Sequence, residues 1–160
     1  MKTITMTSAS FAFAFAAACG GEPPEPQATI LSFTPETLDP ADDRADDLSI
    51  TVEYIDGDGD LGGGVATIHD CRADDLAIEL LLPAIASDEA VADGVAISGE
   101  LVLTAADVGD VTPGSMPAAC SDLGAEPVTA GNAVFCVVLT DAGGRSGVGD
   151  CTTAIPVIPG

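Results

Sequence analysis

Apolar and polar positions alternate along residues 48–55, L-S-I-T-V-E-Y-I. Leu48, Ile50, Val52 and Tyr54 fall on one side, with Ser49, Thr51 and Glu53 opposite. Successive side chains of a strand point to opposite faces, so the pattern predicts a half-buried antiparallel strand. Comparable short runs recur. Residues 28–33 predict a strand that ends before Pro35, and residues 65–69 another after a glycine run. Residues 76–82, L-A-I-E-L-L-L, contain helix formers, but the run is short and stops at Pro83, so it reads as a strand. Residues 95–103 set Val95, Ile97, Leu101 and Leu103 on one side. Residues 133–140, A-V-F-C-V-V-L-T, are nearly all apolar, as expected of a central strand buried on both faces. The last run, 151–158, groups Cys151, Thr153, Ile155 and Val157, and Pro156 assigns it to an edge. Residues 105–131 form a long connection containing Pro113, Pro117, Pro127 and Cys120.

Seven short strands separated by Gly, Pro and Asp turns predict an all-β antiparallel sandwich over residues 27–160. One segment recurs: Arg44-Ala45-Asp46-Asp47-Leu48 returns as Arg72-Ala73-Asp74-Asp75-Leu76. Each copy precedes an apolar run and reads as an acidic turn leading into a strand.

The start of the chain is different. Lys2 is followed by an apolar run at 9–18 that ends in small residues, so residues 1–18 read as a signal peptide. Phe11, Phe13 and Phe15 leave with it, so Phe33, Tyr54 and Phe135 are the aromatics that remain. The core is therefore expected to be aliphatic, and cross-links would stabilise it. Cys71, Cys120, Cys136 and Cys151 form an even set, which in an exported chain reads as two disulfides with three pairings open. No Cys-x-x-Cys spacing typical of zinc occurs. The formal net charge is −22, with four basic residues against 26 acidic ones. Such a surface repels nucleic acid and anionic lipid and attracts cations.

Ala16-Ala17-Ala18-Cys19-Gly20 resembles a bacterial lipoprotein box, with Ala16 where that family usually has Leu. The resemblance implies lipidation of Cys19, a membrane anchor, and export to the outer membrane, which Gly20 suits. The other reading is ordinary cleavage near Ala18. Residues 19–26 then form a Gly/Pro/Glu tether, extended by its prolines. Tyr54-Ile55-Asp56-Gly57-Asp58-Gly59-Asp60-Leu61-Gly62 resembles the turn between the second and third strands of bacterial immunoglobulin-like and PKD-like modules. Val137-Val138-Leu139-Thr140-Asp141-Ala142-Gly143-Gly144-Arg145-Ser146 resembles their closing hairpin. These likenesses imply an immunoglobulin-like sandwich, displayed at the surface as an interaction or spacer module rather than a catalyst. An unidentified envelope or extracellular protein is the expected partner.

That topology implies more. The second–third and sixth–seventh strand loops share one end, which brings Asp141 toward Asp56, Asp58 and Asp60. The connection at 84–93, with Asp88, Glu89 and Asp93, is expected at the same end. Cys71 and Cys120 belong at the opposite end, and Cys136 and Cys151 on the final hairpin, so the expected pairs are Cys71–Cys120 and Cys136–Cys151. The alternate aspartates imitate an EF-hand start, but Leu61 stands where glycine is needed and Thr67 where a bidentate Glu should be. Two readings stay open. One is a calcium site of Asp56, Asp58, Asp60 and Asp141, with a dissociation constant on the order of 10⁻⁴ to 10⁻³ M. The other is a solvated turn in which Asp and Gly serve backbone geometry.

Catalytic motifs are weak. His69 is the one histidine, and no Gly-x-Ser-x-Gly elbow accompanies it. A hydrolase using His69 and nearby carboxylates is the alternative function. A third is a periplasmic subunit whose partner supplies the activity.

Overall fold

The structure is a computed structural model that describes residues 25–39, 47–74, 76–85, 94–108, 111 and 113–158. The strands are β1 (Gln27–Thr34), β2 (Leu48–Asp56), β3 (Val65–Asp70), β4 (Ala77–Leu81), β5 (Ile97–Ala105), β6 (Asn132–Ala133), β7 (Phe135–Thr140), β8 (Asp150–Cys151) and β9 (Ile155–Pro156). A short helix, α1 (Ala118–Asp122), lies between β5 and β6. Two antiparallel sheets, β1-β2-β5 and β4-β3-β7-β8, form a sandwich-like all-β fold, and β6-β9 is a small third pair.

Alternation explains the core. Leu48, Ile50, Val52 and Tyr54 of β2 are buried and meet Ile68, Phe135, Val137 and Leu139 of the second sheet in one apolar cluster. The Tyr54 ring needs space across the sheet. Its register partner is Gly99, where a Cβ would stand 2.9 Å from the Tyr54 hydroxyl. Glycine weakens a strand interior, but here it makes room for the largest side chain of β2.

β7 is buried on both sides, as its unbroken apolar run predicts. Phe135, Val137 and Leu139 face the main core. Val134 and Cys136 face a second cluster with Cys71 and Cys120, covered by Met116, Leu123, Ala125 and Val128. Residues 116–128 of the long connection thus cover the outer face of β7, while Ala105 and Val108 at its start belong to the main core. The connection contains α1, which the apolar pattern does not reveal: five residues are too few to show a helical period.

Both expected disulfides are present, Cys71–Cys120 and Cys136–Cys151. Cys136 and Cys151 are opposite each other in the β7–β8 register. The Cys71 and Cys136 sulfurs lie 3.4 Å apart, so the two bridges pack side by side. The β3–β7 register runs from Val65↔Thr140 to Asp70↔Phe135. The disulfides are therefore at the far end of this sheet from Asp141.

Two expectations are corrected. Residues 151–158 are not one strand: β8 pairs with β7, and β9 pairs with β6. Thr152 is buried and Thr153 exposed, because Cys151 is held on the outer face by its disulfide and its neighbour turns inward. Thr152 then clasps Phe135, its N–H donating to the Phe135 carbonyl at 2.9 Å and its Oγ1 accepting from the Phe135 N–H at 3.1 Å. Val95 precedes β5 and is exposed instead of sharing the buried face with Leu101 and Leu103.

The second copy of the repeated segment is more than an acidic turn. Arg72 is buried with its Nε 2.9 Å from Asp70 Oδ1 and its Nη2 2.6 Å from Asp70 Oδ2. It also donates to the Val108 carbonyl and lies 5.5 Å from the Phe135 ring centroid. Of the first copy, residues 44–46 lie outside the described residues, as do the expected signal peptide and Cys19. Among the described residues no helix is long and apolar enough to cross a membrane.

Candidate metal centre

Asp56 is placed by the same alternation that builds the core. The inward face of β2 runs Leu48, Ile50, Val52, Tyr54, and one further step reaches Asp56, which is fully buried. Its Oδ2 accepts a hydrogen bond from the Leu61 N–H at 2.9 Å, which closes the loop. Its Oδ1 is buried with no hydrogen-bond partner. A buried polar atom without a partner is costly and needs a physical explanation.

Asp58 and Asp60 are on the loop that follows. Gly59 between them has φ of 78°, and a Cβ there would collide with the Val95 carbonyl oxygen. Glycine meets both conditions at no steric cost. Asp56, Asp58 and Asp60 each bring one carboxylate oxygen within 4.8 Å of the others. Asp58 Oδ1, like Asp56 Oδ1, is buried with no hydrogen-bond partner.

The closing hairpin supplies the other half of the apex. The Ala142 N–H donates to the Asp60 carbonyl at 3.0 Å and ties the two loops together. Asp141 is buried, and its Oδ1 accepts from the Arg145 N–H at 2.9 Å. The Arg145 side chain reaches across the cluster. Its Nη2 donates to Asp58 Oδ2 and lies 3.4 Å from both Asp60 oxygens. Its Nε lies 2.9 Å from Asp141 Oδ2, an ion-pair contact without hydrogen-bond alignment. Four carboxylates therefore crowd one end of the sandwich, and Arg145 contacts three of them.

The electrostatics follow from this arrangement. Burial pushes the Asp56 carboxyl up to about 6; Asp58, Asp60 and Asp141 add to the rise, and the Leu61 N–H opposes it. Burial also raises Asp60, joined by the neighbouring Asp58 and Asp141. For Asp58, burial is outweighed by the Arg145 hydrogen bond and charge and by hydrogen bonds with Asp60, so its carboxyl stays below the usual range. Arg145 is held firmly protonated, chiefly by its hydrogen bond to Asp58. The Tyr54 phenol is raised by burial and by Asp56.

The four aspartates singled out by the sequence thus gather at one apex, with Asp141 turned toward Arg145. Arg145 itself was missed. The signal was available: a lone cation in an acidic hairpin turn needs counter-charges. Asp88, Glu89 and Asp93 lie outside the described residues. His69 is not brought to Asp70. The two are neighbours on β3 and face opposite sides, and Asp70 is engaged by Arg72. Burial lowers the His69 pKa.

Fold and site define a class: an all-β sandwich, stapled by two disulfides, with an all-oxygen acidic apex. No family model, no curated protein and no solved structure matches this chain.

Proposed function

We propose that this chain is a non-catalytic module of the cell envelope, used for interaction or structural display and stabilised by calcium at its acidic apex. The observation that carries this reading is the Asp56 Oδ1 atom, buried without a partner beside the oxygens of Asp58 and Asp60. Calcium is a hard cation that takes six to eight oxygen ligands, and a carboxylate cluster relieves its own repulsion by holding one. The strand order of the two sheets supports an immunoglobulin-like module. In this reading Cys19 bears the lipid, residues 19–26 form the tether, and an envelope or extracellular protein is the partner.

Calorimetric titration of the full-length protein with calcium chloride tests the site. Wild type is expected to bind with a dissociation constant on the order of 10⁻⁴ to 10⁻³ M. At ~10 mM calcium this stabilises the fold by roughly 1–3 kcal/mol. Asp58→Ala is expected to give no heat. Silence from both proteins defeats the calcium reading.

The anchor is tested separately. Cys19→Ala is expected to move the exported protein from the membrane fraction to the soluble one. Unchanged fractionation argues against the lipid.

A further inference from the structure

Arg145 occupies the position a metal ion would compete for, and its effect on the site is calculable. The guanidinium touches Asp58, Asp60 and Asp141 but makes no hydrogen bond or ion pair with Asp56. Charge compensation at the apex is therefore uneven: three carboxylates share one cation, and the most buried carboxylate keeps an oxygen without a partner. A divalent ion seated among the Asp56, Asp58 and Asp60 oxygens would lie beside the Arg145 positive charge and repel it. The same ion needs oxygens that Arg145 now holds. Arg145 has a way out, since its side chain is 28 % exposed and stands at the hairpin tip. Asp141 has none, being fixed in the turn by its backbone bonds with Gly144 and Arg145 at 3.0 Å each.

We infer that Arg145 is a resident counter-cation that calcium displaces: binding drives the guanidinium out to solvent and frees Asp141 Oδ2 to join Asp56, Asp58 and Asp60 as the fourth ligand. This rests on the calcium reading above and adds its regulation. The apex has two states, one closed on its own arginine at low calcium and one closed on the metal at high calcium. Each state offsets part of the carboxylate charge, one positive charge in the first and two in the second, so a cation bridges the two loops in both. What changes at the surface is the presentation of a single positive charge on an otherwise acidic tip.

Two measurements test the exchange. The first is calcium titration of Arg145→Gln beside wild type, by calorimetry on the full-length protein. Calcium binding to wild type must first break the Arg145 contacts with Asp58, Asp60 and Asp141, and giving up a hydrogen bond between charged groups weakens binding roughly tenfold. Removing the guanidinium is expected to tighten calcium binding by about that factor. If Arg145 instead orients the ligands, the variant binds calcium more weakly. Wild-type binding with equal or weaker binding by the variant leaves the calcium site standing and overturns the exchange. No binding by either protein removes the site and the exchange together. The second measurement uses wild type alone and does not depend on the variant folding. Phenylglyoxal modification of each arginine is followed by mass spectrometry, with and without calcium chloride. Arg145 is expected to react several-fold faster with calcium, while buried Arg72 stays slow in both. Slower or unchanged modification of Arg145 under saturating calcium also overturns the proposal.

Discussion

Asp56→Asn is expected to stabilise the calcium-free protein at pH 7 and to abolish its response to calcium. The asparagine side-chain oxygen can keep the bond from the Leu61 N–H, so the loop retains its closure. What disappears is a buried negative charge surrounded by Asp58, Asp60 and Asp141. The folded-state carboxyl titrates near 6, above its usual 3.8, so the folded protein binds this proton more tightly than the unfolded chain. The destabilisation is complete above the folded value and fades as pH falls through it toward the unfolded one. Metal-free wild type should therefore gain roughly 1–3 kcal/mol between pH 7 and about 4.5 from this group. Asp60 acts in the same direction. Asp58 acts oppositely: its lowered pKa contributes stability that is lost as pH falls below the ordinary carboxylate range. Arg145 stays charged throughout. Urea unfolding across pH checks this. Wild type should show a stability maximum on the acid side of neutrality, and Asp56→Asn a flatter profile that calcium no longer shifts. A variant that is less stable at pH 7 and still binds calcium would show that Asp56 is neither strained nor a ligand.

Arg72→Met is expected to cost roughly 3–5 kcal/mol, because it leaves Asp70 as an uncompensated buried charge. Both side chains are nearly inaccessible, at 2% and 8% exposure, and the pair is forked. The substitution also removes a donor from the Val108 carbonyl, although methionine can keep a contact with the Phe135 ring. Adding Asp70→Asn should recover most of the loss. The charge is then gone, while the asparagine oxygen can still accept from the Arg72-position N–H, now 3.0 Å from Asp70 Oδ1. Denaturant midpoints for both single variants and the double variant form the cycle that measures the coupling. Additive effects would mean that the pair contributes nothing as a pair.

Much of the fold was legible because a half-buried strand writes its two faces into its sequence. The β2 alternation, the apolar run of β7 and the proline stop after β4 each mark an element within a residue or two of its place. The disulfide pairing was reached through topology rather than spacing, since four cysteines alone leave three choices. The failures have a common cause. α1 is too short to show a period, and the run at 151–158 splits because a disulfide holds Cys151 outward while Thr152 turns in to Phe135. Those are contacts between distant segments, and no local pattern encodes them.

At the candidate site the division is sharper. The sequence by itself determined that carboxylates cluster after β2 and that glycine permits the loop between them. The resemblance already implied that Asp141 reaches the same apex; only the tertiary structure decided that β2 runs on to bury Asp56 and that Arg145 lies between the loops as their cation. It also decided that Asp56 keeps an oxygen without a partner. The physical reason is range. Side-chain alternation is local to a few residues, whereas charge pairing depends on which loop tips the sheets bring together, here from positions 87 residues apart.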